Sequence, residues 1–381
     1  MIYLDHAAAT PMDEDVLAAM QPFFAEQFYN PSATYLPARA VRAALDDARS
    51  KVAYWLGVRP SEIIFTAGGT EANNLVIQGV LRKNPNCSVT ISSIEHDSVL
   101  APAQKYNCSV ALVTEQGRVD LDDLRQKITD ETVLVSVMYA NNEVGTVQPI
   151  RLVAQMVSEI RSARQKAGNA TPLYLHTDAC QAANYLDLHV SRLGVDMMTL
   201  NGGKIYGPKQ SGVLYVASHV QIEPLIYGGG QERGLRSGTE NVASAVGFAA
   251  ALDAAQTMRH EEAKRLIKIQ NYAYQQIAEK LPAAVVNGSI KQRLPNNLHI
   301  TLPGQDNERM LLQLEQAGII AAAGSACSAS SEEPSHVLRA MGLSDADAQS
   351  SLRFTMGRST TQEDIDTLVD VLAKFSDTIT N

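Results

Sequence analysis

Near the middle of the chain, an acidic residue and a lysine each follow an apolar run. Asp178 comes directly after residues 173–177, and Lys204 comes after residues 196–200 and a pair of glycines. A lysine that forms a Schiff base with an aldehyde cofactor needs close approach of the backbone, which neighbouring glycines permit. An acid that faces the pyridine nitrogen of such a cofactor keeps it protonated, so that the ring can store electrons. A salt bridge between a strand-end aspartate and a surface lysine is the simpler explanation of the pair taken alone.

A glycine turn and a threonine follow another apolar run, Ile63–Thr66. Gly68, Gly69 and Thr70 lead from this run into a helical pattern. The free N–H groups and the dipole at the start of a helix favour a phosphate, and the Thr70 hydroxyl can add a bond. An ordinary helix cap, with Thr70 as the capping residue, explains the same residues equally well.

A histidine and an asparagine follow two further apolar runs. His96 comes after residues 89–92, and Asn142 comes after residues 132–138. A single histidine in a loop is more often structural than catalytic, and a turn alone explains the asparagine. Both are candidate site residues only if the fold brings them close to the acid and the lysine.

Two loops of unusual composition lie further along the chain. Residues 228–241 contain five glycines together with polar side chains such as Thr239, a composition that suits neither a core segment nor a linker. Residues 324–331 are small residues around Cys327. A thiol in such a loop is typically exposed and able to travel to its target, so Cys327 is a candidate nucleophile.

The elements that must position these residues are predicted by two patterns that alternate along the chain, short apolar runs and longer amphipathic stretches. Short apolar runs predict strands at Ile63–Thr66, Val89–Ser92, Val110–Val113, Thr132–Met138, Leu173–Thr177, Asp196–Leu200 and Gly212–Val216. Amphipathic stretches predict helices between them, at Glu71–Arg82, Asp120–Lys127 and Ile150–Ala167. This alternation is typical of a mostly parallel sheet covered on both faces, and such sheets bind ligands at the carboxyl ends of their strands.

The last third of the chain predicts a smaller unit. Residues 241–281 read as one helix that ends at Pro282 and spans about 60 Å, enough to bridge two domains. Further elements are predicted as strands at Asn297–Thr301 and Leu352–Met356 and as helices at Asp306–Ala317 and Gln362–Ser376. We therefore expect a large domain at residues 16–255 and a small α+β domain formed by residues 1–15 and 256–381.

Composition excludes several classes of protein. The net charge of −9 and the pI near 5.4 argue against a broad nucleic-acid surface and against a polybasic membrane anchor. The sequence contains no apolar stretch long enough for a transmembrane helix, and its first residues do not resemble a secretory signal. The four cysteines are too widely spaced for a disulfide framework or a C-x-x-C metal site. We expect a cytoplasmic protein without a resident metal, and no direct binding of nucleic acid or membrane.

Motifs from one end of the chain to the other occur in the order found in a single known family. They are Tyr3–Pro11, Asn30–Ser32, Ile63–Asn74, Glu95–His96, Ala140–Thr146, His176–Gln181, Lys204–Lys209, Gly228–Asn241, Gly324–Cys327, Glu333–Leu338 and Leu352–Phe354. On these segments the chain resembles the cysteine desulfurases, pyridoxal-phosphate enzymes of the class V aminotransferase group. The long cysteine loop followed by residues 333–338 resembles the group I branch.

The resemblance implies a fold and a set of cofactor contacts. The fold would be the α/β pyridoxal-phosphate transferase fold, aspartate aminotransferase-like fold type I. Lys204 would hold pyridoxal phosphate as a Schiff base and later move the α-proton of the substrate. Asp178 would pair with the pyridinium nitrogen, Gln181 would bond the ring hydroxyl, and His96 would stack on the ring and assist proton transfer.

The resemblance also implies contacts to the phosphate and the substrate. Gly69, Thr70 and Asn201 would contact the phosphate, and Thr239 would reach in from the partner subunit of a homodimer. Asn142 would line the cofactor and substrate side. Arg353 would bind the substrate carboxylate as a bidentate fork.

The implied reaction removes sulfur from L-cysteine. Cys327 would attack the substrate sulfur, release L-alanine and keep a persulfide, with a possible second role as a transient iron–sulfur ligand. The persulfide would pass to an acceptor protein, either an iron–sulfur scaffold or a tRNA-thiolating enzyme. The resemblance leaves open a selenocysteine lyase or another aminotransferase-type enzyme, and the retained site residues argue against a non-catalytic scaffold.

Two departures from the family pattern bear on these expectations. The family usually places serine and histidine three and one positions before the lysine, where this chain has Asn201 and Gly203. One phosphate contact is therefore in doubt. The sequence also stops soon after Phe375, where related enzymes often carry a tail that docks a scaffold, so delivery to a scaffold is less secure than sulfur mobilisation.

Overall fold

In the computed structural model, which describes residues 1–324 and 333–377, seven strands form the main sheet. The order across the sheet is β2-β8-β7-β6-β5-β3-β4, and β8 runs antiparallel to both of its neighbours. The remaining pairs in this sheet are parallel. The strands are β2 (Ile63–Thr66), β3 (Ser88–Ser92), β4 (Cys108–Ala111), β5 (Thr132–Ser136), β6 (Tyr174–Asp178), β7 (Met197–Asn201) and β8 (Gly212–Val216).

Burial of the main sheet is explained by its composition. Every residue of β3, β5, β6 and β8 is buried, as expected in a sheet covered on both faces. Strands β5 and β8 are mainly valine and leucine, whereas β3 and β6 also bury serine, threonine, histidine and aspartate. The helices are α1 (Glu14–Met20), α2 (Pro22–Ala25), α3 (Leu36–Leu56), α4 (Gly69–Lys83), α5 (Asp97–Ala103), α6 (Leu121–Lys127), α7 (Ile150–Lys166), α8 (Val190–Leu193), α9 (Val242–Lys280), α10 (Asn307–Gln316), α11 (His336–Ala340), α12 (Asp345–Gln349) and α13 (Gln362–Asp377). The predicted mostly parallel α/β sheet is confirmed.

A second layer of strands lies in the C-terminal part of the described chain. Strands β9 (Val285–Val286), β10 (Asn297–Thr301) and β12 (Ser351–Thr355) form an antiparallel sheet in the order β12-β10-β9. Strands β1 (Ile2–Tyr3) and β11 (Ile319–Ile320) form a parallel pair. Single bridges join Asp5 to Thr355 and Ala322 to Arg353, so both segments lie against β12.

Two separate hydrophobic cores accompany these sheets. The larger one surrounds the main sheet, and the smaller one lies between β10, β12, α10 and α13. Helix α9, 39 residues long, contributes Phe248 and Leu252 to the first core and Leu266 and Ile277 to the second. The division at residues 15/16 and 255/256 stays a prediction with which these cores are compatible. In the described part of the chain, no helix combines the length and apolar character that a membrane crossing requires.

The predicted boundaries agree with the structure within two residues, and two of the largest differences are informative. The strand predicted at 132–138 ends at Ser136, because Met138 donates its N–H to Oε1 of buried Glu95 (2.7 Å) instead of to a neighbouring strand. The strand predicted at 110–113 is β4, which begins at Cys108 and ends at Ala111. It lies at the edge of the sheet, where its side chains are partly exposed. The apolar pattern of the sequence therefore does not indicate clearly where this strand begins and ends.

Candidate active site

A cleft of about 600 Å³ lies at the carboxyl ends of the parallel strands. It is lined by Ala7, Ala8, Gly69, Thr70, Asn73, His96, Ser98, Met138, Ala140, Asn142, Asp178, Cys180, Gln181, Asn201, Lys204 and Arg353. Nine of the predicted site residues are therefore brought together. Two are not: Thr239 is exposed and does not line this cleft, and Cys327 lies outside the described residues.

Lys204 ends a single turn of 3-10 helix that comes after β7. Its Nζ donates to the backbone carbonyl of Ala7 (2.8 Å) and to that of Ala8. Gln181 donates to the same Ala7 carbonyl through Nε2 (3.0 Å). The N-terminal segment thus forms one wall of the cleft and holds the lysine ammonium with main-chain oxygens.

Asp178 is the last residue of β6 and is buried. Its Oδ1 accepts from the backbone N–H of Cys180 (2.9 Å), and its Oδ2 accepts from Nδ2 of Asn73 (2.7 Å). Two donors hold the carboxylate in place inside the protein. Burial, and then the charge of Asp178, raise the pKa of the Cys180 thiol well above its usual value, so Cys180 stays protonated and is a poor nucleophile.

His96 caps the N-terminus of α5 with its own ring. Nδ1 accepts from the backbone N–H of Ser98 (3.1 Å) and lies 2.8 Å from the Ser98 hydroxyl. The preceding residue, Glu95, is buried completely, and burial raises its pKa well above the usual carboxyl value. The loop that carries His96 is therefore fixed by buried polar contacts on both sides of the ring.

The opposite end of the cleft is the start of α4. Gly68 is the N-cap of this helix and, within the described residues, no side chain caps it, so the interpretation of Thr70 as an ordinary cap is wrong. A Cβ atom on Gly69 would lie 2.7 Å from Sγ of Cys180, which makes glycine necessary here. Asn201 accepts from the N–H of Gly203 through Oδ1 (2.9 Å), so its Nδ2 group is the one directed towards Gly69.

Arg353 lies in β12 with an exposed fraction of 1%. Its guanidinium donates to the backbone carbonyl of Asn142 (3.0 Å) and to Oδ1 of Asp5 (2.7 Å). Its Nε is buried and has no hydrogen-bond partner in the described part of the chain. A buried guanidinium with an unused N–H at the wall of a cleft is suited to bind a carboxylate.

The residues around the cleft fit pyridoxal phosphate. A helix start without a side-chain cap and the Asn201 amide suit its phosphate. The buried, doubly bonded Asp178 suits its pyridinium nitrogen, and Lys204 suits its aldehyde. Arg353, whose guanidinium lines the cleft, suits the carboxylate of an amino-acid substrate.

A lysine, an aspartate and a helix start around a cleft at the strand ends define a pyridoxal-phosphate enzyme of fold type I. The chain belongs to the class-V aminotransferase family, whose profile matches residues 2–368. It is 38% identical to cysteine desulfurase IscS of Dictyoglomus turgidum, over 98% of this chain and 94% of the relative. The resemblance to the cysteine desulfurases is confirmed, and pyridoxal phosphate is the cofactor.

Solved structures of similar proteins have the same fold as this chain. A NifS-like protein superposes with a TM-score of 0.90 at 31% identity and covers 99% of both chains. The structure of SspA in complex with cysteine superposes with a TM-score of 0.81 at 32% identity, over 93% of this chain and 99% of SspA.

Three polar residues of the site, besides apolar lining residues such as Ala7, Ala8, Met138 and Ala140, were not predicted from the sequence. Asn73 and Ser98 line the cleft, and Asp5 pairs with Arg353. Asn73 and Asp5 lie within motifs that carried the resemblance, and Ser98 lies two residues after His96. In residues 1–324 and 333–377, no group of three histidine, cysteine or acidic side chains is placed to hold a metal ion.

Proposed function

We propose that this chain removes sulfur from L-cysteine, releases L-alanine and holds the sulfur as a persulfide on Cys327. The observation that carries the proposal is the guanidinium of Arg353, which lines the same cleft as Lys204 and Asp178. An α-carboxylate bound there would place the rest of a small amino acid among Lys204, His96 and Asn142. The structure of SspA with cysteine, a relative at 32% identity, supports cysteine as the substrate.

The chain on both sides of Cys327 is anchored close to the cleft. Ala322 exchanges backbone hydrogen bonds with Arg353 (3.2 and 2.6 Å), five residues before Cys327. Eight residues after Cys327, the Ser335 hydroxyl donates to buried Glu143 (2.5 Å), next to Asn142. Both anchors support a thiol that reaches the substrate.

The proposed chemistry divides among a few side chains. When bound, pyridoxal phosphate supplies an electron sink for the substrate carbon. Arg353 orients the carboxylate, and the Lys204 amine takes the proton from the substrate Cα. The Cys327 sulfur, which gives up its thiol proton, then bonds to the substrate sulfur as the carbon–sulfur bond breaks. The carbon product takes one proton at Cβ and recovers one at Cα from Lys204, and it leaves as alanine. Asp178 would pair with the cofactor nitrogen, held by its bonds to Asn73 and Cys180.

We also propose a homodimer and a separate sulfur acceptor. Thr239 is exposed and does not line the cleft of its own chain, which supports a role for it at the site of a partner subunit. The acceptor would be an iron–sulfur scaffold or a tRNA-thiolating enzyme in the cytoplasm. The name IscS of the relative in Dictyoglomus turgidum supports the first of these.

The proposal is tested by locating the sulfur after a single turnover. The purified enzyme is mixed with less than one equivalent of sulfur-labelled L-cysteine, alkylated and mapped by mass spectrometry. We expect the label on Cys327, and we expect Cys327→Ser to form little alanine or sulfide. Cys108→Ser is the matched control, because its half-buried thiol lies on edge strand β4 and should not affect turnover. Label on Cys180, or normal sulfide release by Cys327→Ser, would contradict the proposal.

A further inference from the structure

Two side chains with no assigned role connect Asp178 to His96. Asn73, which is completely buried, donates through Nδ2 to Oδ2 of Asp178 (2.7 Å) and to the hydroxyl of Ser98 (2.8 Å). The Ser98 hydroxyl in turn lies 2.8 Å from Nδ1 of His96. The acid at the end of β6 and the histidine at the start of α5 are thus linked by a continuous chain of hydrogen bonds.

The carboxylate of Asp178 determines which group is the donor and which is the acceptor in each of these hydrogen bonds. An ionised carboxylate only accepts hydrogen bonds, so Asn73 must turn its amide nitrogen, not its oxygen, towards Asp178. That nitrogen gives its second hydrogen to Ser98, whose oxygen is therefore an acceptor in this contact. The hydroxyl hydrogen of Ser98 is then the one available for Nδ1 of His96.

The ring of His96 receives a second donor at the same atom. The backbone N–H of Ser98 points at Nδ1 (3.1 Å), and a backbone N–H cannot accept. Nδ1 therefore carries no proton, and in the neutral ring the proton is on Nε2. A hydrogen on Nδ1 of the half-buried ring would face the backbone N–H of Ser98, which cannot accept it, and this is unfavourable.

We propose that Asn73 and Ser98 are positioning residues that hold His96 as the Nε2-protonated tautomer and couple that tautomer to the ionised Asp178. His96 then presents a hydrogen-bond donor at Nε2, and its basic nitrogen Nδ1 is occupied. As a consequence, His96 stabilises negative charge or gives a proton in the reaction and does not act as the initial base. This assignment of roles rests on the proposed function, whereas the tautomer itself does not.

The tautomer is tested by nitrogen-15 NMR of the holoenzyme labelled at histidine, in which the two ring nitrogens give distinct shifts. The chain has eight histidines, and His96→Gln identifies the signals of His96. We expect the protonated nitrogen of His96 to be Nε2. In Ser98→Ala, the ratio of the Nε2 to the Nδ1 tautomer should fall roughly two- to tenfold, the range for loss of one hydrogen bond. Ser98→Thr keeps the hydroxyl and should restore the wild-type ratio.

A matched control exists on the surface. Ser191 contacts Nδ1 of His189 (3.0 Å) with the same two-residue spacing, and it does not line the cleft. Ser191→Ala should change the signals of His189 and leave those of His96 unchanged. Asn73→Leu removes the link to Asp178, and if it folds it should shift the ratio at His96 as well.

Kinetics give a second measurement. Ser98→Ala should lower kcat for cysteine with little change in KM, and Ser98→Thr should restore it. Protonation of His96 at Nδ1 in the wild-type enzyme would overturn the proposal, and so would unchanged His96 signals in Ser98→Ala. Failure of the proposed desulfuration would instead appear as absent alanine and sulfide, while the NMR result remained as expected.

Discussion

The glycine at position 203 gives the sharpest test of how this site binds its cofactor. The resemblance to the cysteine desulfurases implies a histidine there that bonds the phosphate, and this chain has glycine. We predict that Gly203→His is accommodated and tightens the binding of pyridoxal phosphate. The backbone permits a side chain, because Gly203 is not among the residues with positive φ.

Space at this position also permits a Cβ atom, although the residue itself is buried. A Cβ atom on Gly203 would lie 3.4 Å from Oδ1 of Asn201 and 3.9 Å from Lys209, which are ordinary contacts. At neighbouring Gly202 the same atom would lie 2.1 Å from Oγ of Ser211, which is buried and bonded to the Pro208 carbonyl. The two glycines therefore differ sharply in the side chains they tolerate.

The expected gain in affinity for pyridoxal phosphate depends on the kind of hydrogen bond that the new histidine forms with the phosphate. A hydrogen bond to a charged group contributes about 1.5–3 kcal/mol. Since about 1.4 kcal/mol corresponds to a factor of ten, the dissociation constant of the cofactor should fall about tenfold to a hundredfold. The Asn201 amide already faces this end of the cleft and would share the phosphate, which favours the lower figure.

Three variants make the assay decisive. Cofactor-free Gly203→His, Gly203→Ala and Gly202→Ala are titrated with pyridoxal phosphate, and their unfolding is measured in urea. We expect tighter binding for Gly203→His, wild-type affinity for Gly203→Ala, and clear destabilisation for Gly202→Ala. If Gly203→His bound no more tightly than Gly203→Ala at equal stability, the reasoning about the missing phosphate contact would be refuted.

Three further predictions concern other parts of the site. Lys204→Ala should lose both turnover and the visible absorbance of lysine-bound cofactor, which spectra and alanine assays would show, and normal turnover would refute its assignment. Asp5→Ala should lower the free energy of unfolding in urea by about 3 kcal/mol, because it leaves the buried Arg353 guanidinium without its carboxylate partner; an unchanged unfolding midpoint would contradict this. Thr239→Ala should increase loss of cofactor on dilution, whereas the control Thr114→Ala should not, and a dissociation constant independent of protein concentration would place the site within one chain.

Burial explains which elements could be predicted from the sequence. The ends of β2 and β8 agree with the predicted strands, because these buried strands are mainly apolar runs bounded by polar or glycine residues. The ends of β10 also agree, and its sequence alternates between polar and apolar residues. The helix Leu36–Leu56 was not predicted, although its buried residues Val41, Leu45, Val52 and Leu56 recur at helical spacing. The pairing of β1 with β11 joins two-residue strands more than three hundred positions apart, and no local pattern indicates it.

The site was predictable where it is built from residues that come directly after a strand. Asp178, Asn142 and His96 were candidates because the carboxyl ends of parallel strands meet at one edge of a sheet, and the cleft lies there. The contact between Asp5 and Arg353 depends instead on how the N-terminal segment packs against β12. Its two residues are 348 positions apart, so spacing carries no information about it.

Asn73 and Asn74 show where such prediction ends. The two residues are chemically identical neighbours, yet one is completely buried against Asp178, while the other bonds Thr70 and Gln78 at the helix surface. Helical periodicity distinguishes them, because residues 76, 77 and 80 make the face of Asn73 apolar, and a polar residue on such a face needs a buried partner. The sequence therefore indicates that Asn73 has a polar partner. The identity of that partner depends on the packing of α4 against β6, and this packing makes Asn73 part of the link between the acid and the histidine.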